Sequence, residues 1–303
     1  MNRSLRLIVN VKVAVDPALR TAVKSLRDQG ISTEVRVTWE RGDAAQLAAI
    51  AARDGVDVVV AVGGDGTVSE VVGGLMTVDA ACETAVAIVP YGTANDFATG
   101  CQIPDRDPLA ALWLAAEGQA RRIDVGQVND RYFINAASGG FGAAVTAQTP
   151  AHMKKVLGGA AYSLMGLVTA SKMSPYRGKM ITSEGEEHGS MILMSVGNGR
   201  LAGGGYPVAP KARLDDGLLE VMVIADVDIR EFGVLLSELM HLGTETNRYA
   251  IYRQLKTFRL ESESPLNMNL DGEPIVGRYF DFQVLPQRIP FILPVDCPLI
   301  VLS

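Results

Sequence analysis

The sequence is poor in the residues that build disulfide frameworks, zinc sites and histidine-centred catalytic clusters. Only three cysteines and three histidines occur among 303 residues, and both kinds lie far apart in the chain. The odd number of cysteines argues against a disulfide framework, and their spacing fits no zinc site. A G-x-S-x-G nucleophile elbow is absent as well. Zinc chemistry and catalysis by a histidine or serine nucleophile are therefore poorly supported.

Long apolar runs and a positive net charge are also missing. Charged residues interrupt the apolar runs well short of the roughly 20 residues that a bilayer crossing needs, and the N-terminus lacks the apolar core of a signal peptide. The formal net charge of −6 gives no global attraction to nucleic acid or to an anionic membrane. We expect a cytoplasmic protein with no transmembrane segment and no nucleic-acid partner, whose contact with a membrane is local and transient.

A glycine-rich stretch follows what reads as a buried parallel strand over residues 58–62. Its sequence is Gly63-Gly64-Asp65-Gly66-Thr67, and a helix is predicted to begin there. The backbone N–H groups of such a loop can surround an anion, and the helix dipole favours the same charge. A nucleotide phosphate is the leading candidate, and a plain strand-to-helix turn is the alternative.

The spacing of this loop separates it from the common phosphate-binding loops. No lysine follows the glycines, as a P-loop requires, and Ser69 stands where a dinucleotide fingerprint has its third glycine. Asp65 also places a carboxylate where a phosphate would lie, which is unfavourable unless a cation lies between them. The loop therefore indicates a metal–nucleotide complex.

The order of predicted elements indicates two domains. Strands and helices alternate over roughly the first 90 residues, which predicts a parallel sheet with helices on both faces. Because ligands bind at the carboxyl ends of such strands, Thr38, the glycine loop and the loop at Gly92 and Thr93 should converge on one edge. After a hairpin-type turn at Asn129, strands dominate. We predict an α/β domain over residues 1–128 and a mainly antiparallel β-rich domain over residues 129–291.

A helix with few charges is predicted over residues 151–172. Packing across a sheet explains such a helix, and lining a lipid chain is the functional alternative.

Four motifs together resemble the signature of the diacylglycerol-kinase-type lipid kinases. They occur in the family's order and are Gly63-Gly64-Asp65-Gly66-Thr67, Pro90-Tyr91-Gly92-Thr93-Ala94-Asn95-Asp96-Phe97, Asp215-Asp216-Gly217-Leu218-Leu219 and Asp271-Gly272-Glu273-Pro274. The first motif alone is shared with NAD kinases and phosphofructokinase-like enzymes, whereas the set is more selective. The resemblance implies an NAD-kinase/phosphofructokinase-like first domain and a β-sandwich second domain. It also implies a C-terminal tail, residues 292–303, that returns to the first domain.

The activity implied by the resemblance is an ATP-dependent, Mg²⁺-requiring transfer of the γ-phosphate to a hydroxyl of a glycerol-based lipid. Phosphatidylglycerol or a diacylglycerol-like lipid would be the acceptor, reached at the membrane surface, and a homodimer is left open. The implied nucleotide contacts are Thr38, Gly64, Asp65, Gly66, Thr67, Val68, Ser69, Glu70 and Thr93.

Three acids are candidates for the chemistry. The resemblance assigns the proton acceptor to Glu273, with Asp271 as the second choice for a base or as an orienting group for metal or substrate. Asp65 would reach the nucleotide's metal directly or through water. From the residues alone, Asp271 and Glu273 belong to a hairpin turn, and Asp65 is a turn-forming residue.

A second cation site is implied at Arg213, Asp216 and Leu218, for Mg²⁺ or alternatively Ca²⁺. Arg213 and Leu218 would offer backbone carbonyl oxygens because neither side chain has an acceptor, and Asp216 would offer its carboxylate. An Asp-Gly turn without metal is the alternative. For Asp124, a water–metal network and a salt bridge with Arg122 are both open.

Two other functions compete with a lipid kinase. One is a kinase of NAD or of a small soluble polyol that uses the same glycine loop. The other is a non-catalytic regulator that binds a nucleotide or a lipid. Phosphate transfer to a lipid distinguishes all three.

Overall fold

A computed structural model of the chain describes residues 3–78, 83–140, 175–244 and 246–301. The helix predicted over residues 151–172 lies outside these residues. The first part of the chain alternates strands and helices, as predicted. Its strands are β1 (Leu5–Asn10), β2 (Thr33–Thr38), β3 (Val58–Gly63) and β4 (Ala85–Pro90). Its helices are α1 (Pro17–Asp28), α2 (Asp43–Arg53), α3 (Asp65–Met76), α4 (Asp96–Gly100) and α5 (Pro108–Glu117).

The four strands β1 to β4 form a parallel sheet in the order β4-β3-β1-β2. Strands β3 and β4 are buried along their whole length, which explains their continuous apolar sequence. Helices α1 and α5 share one core with the sheet, and helices α2 and α3 share another. In the register, Thr38 lies beside Asn10 and Gly63 beside Pro90. The strand ends therefore meet at one edge.

The remaining strands form the β-rich part of the molecule. They are β5 (Ala120–Val128), β6 (Arg131–Phe133), β7 (Ala136–Gly140), β8 (Tyr176–Thr182), β9 (Gly185–Gly197), β10 (Leu201–Ala202), β11 (Tyr206–Pro207), β12 (Leu219–Ala225), β13 (Ala250–Leu255), β14 (Thr257–Leu270) and β15 (Glu273–Ile292). A 3-10 turn (Ile229–Glu231) leads into α6 (Phe232–Met240). The described pairs among these strands are antiparallel, which confirms the predicted fold class.

Strand β14 contains a polar stretch with Pro265 that does not end it. Its register with β15 shifts between Glu261 and Leu266. An irregularity of this kind accommodates a proline without ending the strand.

Strand β15 joins the two parts of the sheet. It pairs antiparallel with β14 and β5, and at its far end Phe291 lies parallel to Val86 of β4. The chain after it packs into the α/β core, where Cys297 and Leu299 are buried in the same cluster as Cys101. Both of these cysteines are free thiols.

Candidate active site

Two backbone loops touch at the carboxyl edge of the parallel sheet. The N–H of Tyr91 donates to the carbonyl of Gly63 at 2.8 Å. A Cβ on Gly64 would lie 2.9 Å from Gly92 Cα, and a Cβ on Gly92 would lie 2.6 Å from Gly64 Cα. These two glycines are therefore required by close contact between main chains. A Cβ on Gly66, in contrast, would meet no atom within 4 Å.

Helix α3 begins at this contact with exposed backbone donors. Its N-cap is Gly64, which has no side chain to accept from the first N–H groups. Thr67 and Val68 are buried, and their N–H groups donate to the Gly64 carbonyl at 2.9 Å and 3.2 Å, so the structure exposes neither the side chains nor the N–H groups of these two predicted nucleotide contacts. The geometry suits an anion at the start of the helix.

Asp65 joins the glycine loop to the next loop. Its carboxylate accepts the N–H groups of Asp96 at 3.1 Å and Phe97 at 3.2 Å, and so caps the start of α4. Asn95, with a φ of 51°, adds a bond from the N–H of Gly92 to its Oδ1 at 2.8 Å. A carboxylate offers about four lone-pair positions, so Asp65 can still bind a cation while it caps α4.

Asp96 extends these contacts into the β-rich part. Its carboxylate accepts the N–H groups of Gly204 at 2.9 Å and Gly205 at 2.6 Å, in the turn between β10 and β11. The start of α4 therefore contacts both parts of the molecule.

Asp271 lies in the hairpin turn between β14 and β15. Asp271 and Gly272 have φ values of 47° and 99°, which matches the left-handed turns that join twisted strands. The Asp271 carboxylate accepts backbone N–H groups from Ile134 at 2.6 Å, Asn135 at 3.1 Å and Ala136 at 2.8 Å. Burial raises the pKa of Asp271 to about 6 against the effect of these donors, and the charge of Asp65 also raises it. The two acids therefore lie within electrostatic range of each other.

Glu273 follows Asp271 and faces the α/β part. It forms an ion pair with Arg41, which lies in the loop between β2 and α2. Asp43 lies in the first turn of α2, whose N-cap is Gly42, and the Asp43 carboxylate accepts the N–H of Trp39 at 2.7 Å. The acid turns back to hold the loop that carries Arg41.

The remaining predicted nucleotide contacts lie around the same edge. Thr38 is buried at the end of β2, and Thr93 is exposed in the loop after β4. Ser69 and Glu70 are half-buried in the first two turns of α3. The structure thus assembles α3, the loops after β2 and β4, and the β14–β15 turn.

Arg213, Asp216 and Leu218 lie in a separate loop. Asp216 Oδ1 accepts the N–H of Leu218 at 3.0 Å, and burial raises the Asp216 pKa. The buried Asp124 accepts the N–H groups of Gly217 and Gln287, each at 2.7 Å. Across the described ranges, no cluster of three or more His, Cys, Asp or Glu side chains suits a metal ion. The predicted donors are all oxygens, as Mg²⁺ and Ca²⁺ prefer, but only one is a carboxylate.

Two arginines have structural partners. Arg122 pairs with Glu83, and Asp124 accepts backbone N–H groups, so of the two alternatives left open for Asp124 the salt bridge with Arg122 does not form. Arg200 donates to the carbonyls of Ala212 at 2.9 Å and Pro298 at 3.0 Å.

Comparison with known proteins identifies the family. Residues 4–128 match the diacylglycerol kinase catalytic domain, and residues 135–293 match the YegS C-terminal NAD kinase beta sandwich-like domain. A Chromohalobacter salexigens protein named "Probable lipid kinase YegS-like" is 45% identical over 289 residues, which cover 95% of this chain and 92% of the relative. The chain belongs to the YegS-like lipid kinase family. A relative of the same name from Xanthomonas campestris pv. campestris is 42% identical over 302 residues, or 97% of both chains.

The YegS-like family assignment confirms the predicted enzyme class, a lipid kinase. A solved diacylglycerol kinase structure from Bacillus anthracis str. Sterne superposes with a TM-score of 0.75 at 21% identity, covers 98% of each chain and shows the same fold. In the part of this lipid kinase that the structure describes, no helix combines the length and apolar character needed to cross a membrane.

Sequence reasoning missed Arg41 as a residue of the site. One signal was available: Arg41 follows β2, whose end was expected at the same edge as the glycine loop. Its partner Glu273 belongs to a distant hairpin, so only the fold brings the two together.

Proposed function

We propose that this lipid kinase transfers the γ-phosphate of ATP to a hydroxyl of a glycerol-based lipid, phosphatidylglycerol or a diacylglycerol-like lipid. The supporting observations are that Asp65 begins α3, that its charge acts on Asp271 in the β14–β15 turn, and that Arg41 of the α/β part pairs with Glu273 next to that turn. Phosphoryl transfer depends mainly on positioning and on neutralising charge, which suits a site of backbone donors and carboxylates. We assign the α/β domain to residues 1–128 and the lipid-binding domain to residues 129–291.

The nucleotide would bind at the stretch Gly64 to Glu70, with the backbone N–H groups ahead of Thr67 as donors and with Thr38 and Thr93 at the neighbouring strand ends. Asp65 and Asp271 fit a cation, because the charge of Asp65 disfavours the charge of Asp271 and a cation relieves that cost. Mg²⁺ bound with ATP would neutralise the charge that develops on the phosphates. The reaction would take place at the cytoplasmic membrane surface, where ATP and the lipid meet.

Glu273 would accept the proton of the attacking hydroxyl. The lipid oxygen forms a bond to the γ-phosphorus, the bond between that phosphorus and the β–γ bridging oxygen breaks, and ADP leaves. The carboxylate takes the hydroxyl proton as the new bond forms. Asp271, held by three backbone donors, would orient the metal or the substrate.

The test is incubation with labelled ATP, Mg²⁺ and a panel of glycerol-based lipids in mixed micelles, with products identified by mass. We expect a phosphorylated lipid, and Glu273→Gln should lower its rate of formation by about 10²–10⁴-fold while ATP still binds. Transfer to NAD or a soluble polyol would favour the soluble-substrate kinase. ATP binding without any transfer would favour the regulator.

A further inference from the structure

The ion pair between Arg41 and Glu273 connects the two parts of the molecule across the candidate site. Arg41 belongs to the α/β part, and Glu273 begins the second strand of the β14–β15 hairpin. In the described ranges, Glu273 forms its ion pair with Arg41, and 31% of its side chain is exposed. When a half-buried carboxylate pairs with one cation, that cation fixes the orientation of the carboxylate.

The loop that carries Arg41 is held on both sides. The Asp43 carboxylate accepts the N–H groups of Trp39 at 2.7 Å and Glu40 at 3.1 Å. On the other side of Arg41, the N–H of Gly42 donates to Glu70 Oε2 at 3.1 Å. Backbone on each side of Arg41 is therefore fixed, although its own side chain is 67% exposed.

Glu70 links this loop to the phosphate-binding element. It lies on α3, the helix that begins at Asp65, and it reaches the loop through the N–H of Gly42. A continuous set of contacts therefore runs from the start of α3 through Glu70 and Arg41 to Glu273. Through it, the helix that would bind the phosphates also sets the position of the acid that would accept the proton.

We propose that Arg41 is a positioning residue that directs the Glu273 carboxylate toward the acceptor hydroxyl, and that Glu70 fixes Arg41 relative to α3. This inference rests on the proposed function. An exposed arginine at this edge has one clear alternative role, which is a direct contact with the phosphates of ATP. The two roles predict different kinetics, because a positioning residue acts only through Glu273.

The test compares Arg41→Ala, Arg41→Lys, Glu273→Gln and the double variant Arg41→Ala/Glu273→Gln. Arg36→Ala is the matched control, because Arg36 lies on β2 and pairs with Glu34 on its own strand. With the lipid that the wild type accepts, Arg41→Ala should lower kcat by roughly 10- to 100-fold, the cost of a misplaced catalytic group. The KM for ATP should stay within about twofold. Arg41→Lys should recover part of the rate, because it keeps the charge and loses the planar guanidinium.

The double variant decides between the two roles. If Arg41 acts through Glu273, Arg41→Ala should cause no further loss once Glu273 is replaced. Multiplicative losses, a defect confined to the KM for ATP, or full activity of Arg41→Ala would each overturn the inference.

Hydrogen exchange provides a readout that needs no turnover. Amide exchange at residues 271–273 should rise in Arg41→Ala and stay at the wild-type level in Arg36→Ala. Unchanged exchange in Arg41→Ala would reject the positioning role whatever the activity. If the wild type phosphorylates no lipid but amide exchange at residues 271–273 still rises in Arg41→Ala, the proposed function is rejected and the contact between Arg41 and Glu273 is established.

Discussion

Substitution by alanine should have different effects at Gly64, the N-cap of α3, and at Gly66 in its first turn. Gly64 contacts the backbone of Gly92, whereas a Cβ on Gly66 would enter open space. We expect Gly64→Ala to destabilise the protein without ligand. Gly66→Ala should leave its stability unchanged or slightly raised, and should weaken ATP binding instead.

The magnitude follows from the contact distance. A Cβ on Gly64 would lie 2.9 Å from Gly92 Cα, which is closer than non-bonded carbon atoms pack. The atom that it meets belongs to the backbone, so it cannot move aside as the end of a flexible side chain can. Forced overpacking of this kind costs about 1–3 kcal/mol. At roughly 2–4 °C for each kcal/mol, Tm should fall by several degrees. Gly66 lies in the first turn of α3, where alanine is favoured over glycine by up to about 1 kcal/mol.

Thermal unfolding with and without ATP and Mg²⁺ measures both effects. At about 100 times the Kd, ATP should stabilise the wild type by about 2.7 kcal/mol, and a tenfold loss of affinity lowers this to about 1.4 kcal/mol. Gly66→Ala should show the smaller stabilisation. A wild-type Tm in Gly64→Ala would refute the close contact, and a full ATP response in Gly66→Ala would refute the phosphate-binding loop.

Two further predictions concern the pH dependence of a buried carboxylate, Glu238, and a half-buried one, Asp271. Burial opposes the charge of Glu238, but three backbone N–H donors outweigh burial and lower the pKa of this acid. The charged carboxylate therefore stabilises the fold above the ordinary pKa of a glutamate, and this stabilisation is lost as pH falls through the lowered pKa. Urea unfolding should show Glu238→Gln less stable by about 1–3 kcal/mol at pH 7, with the difference shrinking as pH falls below the ordinary pKa of a glutamate. For Asp271 the sign is reversed: burial raises its pKa to about 6, so the folded state favours the protonated form, and stability falls as pH rises from about 4 to 6. Asp271→Asn should remove that slope, and an unchanged slope in the variant would contradict the assignment.

The meeting of the site loops could be predicted because topology requires it. Parallel strands place their carboxyl ends at one edge, and Thr38, Gly63 and Pro90 lie there in the observed register. Local details were less accessible. The sequence shows an acid at the start of α2 but not whether Asp43 reaches forward or back, and Gly42, with a φ of 90°, turns the chain so that it reaches back.

Contacts between distant segments were beyond sequence reasoning. The motifs identified Asp65, Asp271 and Glu273 as acids of interest, but their relation depends on how the β14–β15 hairpin meets the α/β part. The same is true of Asp96, whose contact with the β10–β11 turn has no local signal. A pattern predicts which face or edge a residue occupies, whereas its partners depend on the packing of whole elements.

The carboxylates of Glu238 and Asp271 show how an acid of the candidate site differs from an acid with a structural role. Each carboxylate accepts three backbone N–H groups, yet the pKa of Glu238 is lowered and that of Asp271 is raised. The number of donors therefore does not decide the shift. Burial outweighs the donors only at Asp271, and the neighbouring charge of Asp65 acts in the same direction. A cation beside Asp65 and Asp271 would lower the cost of charging Asp271, which supports the proposal that the metal of the nucleotide binds there.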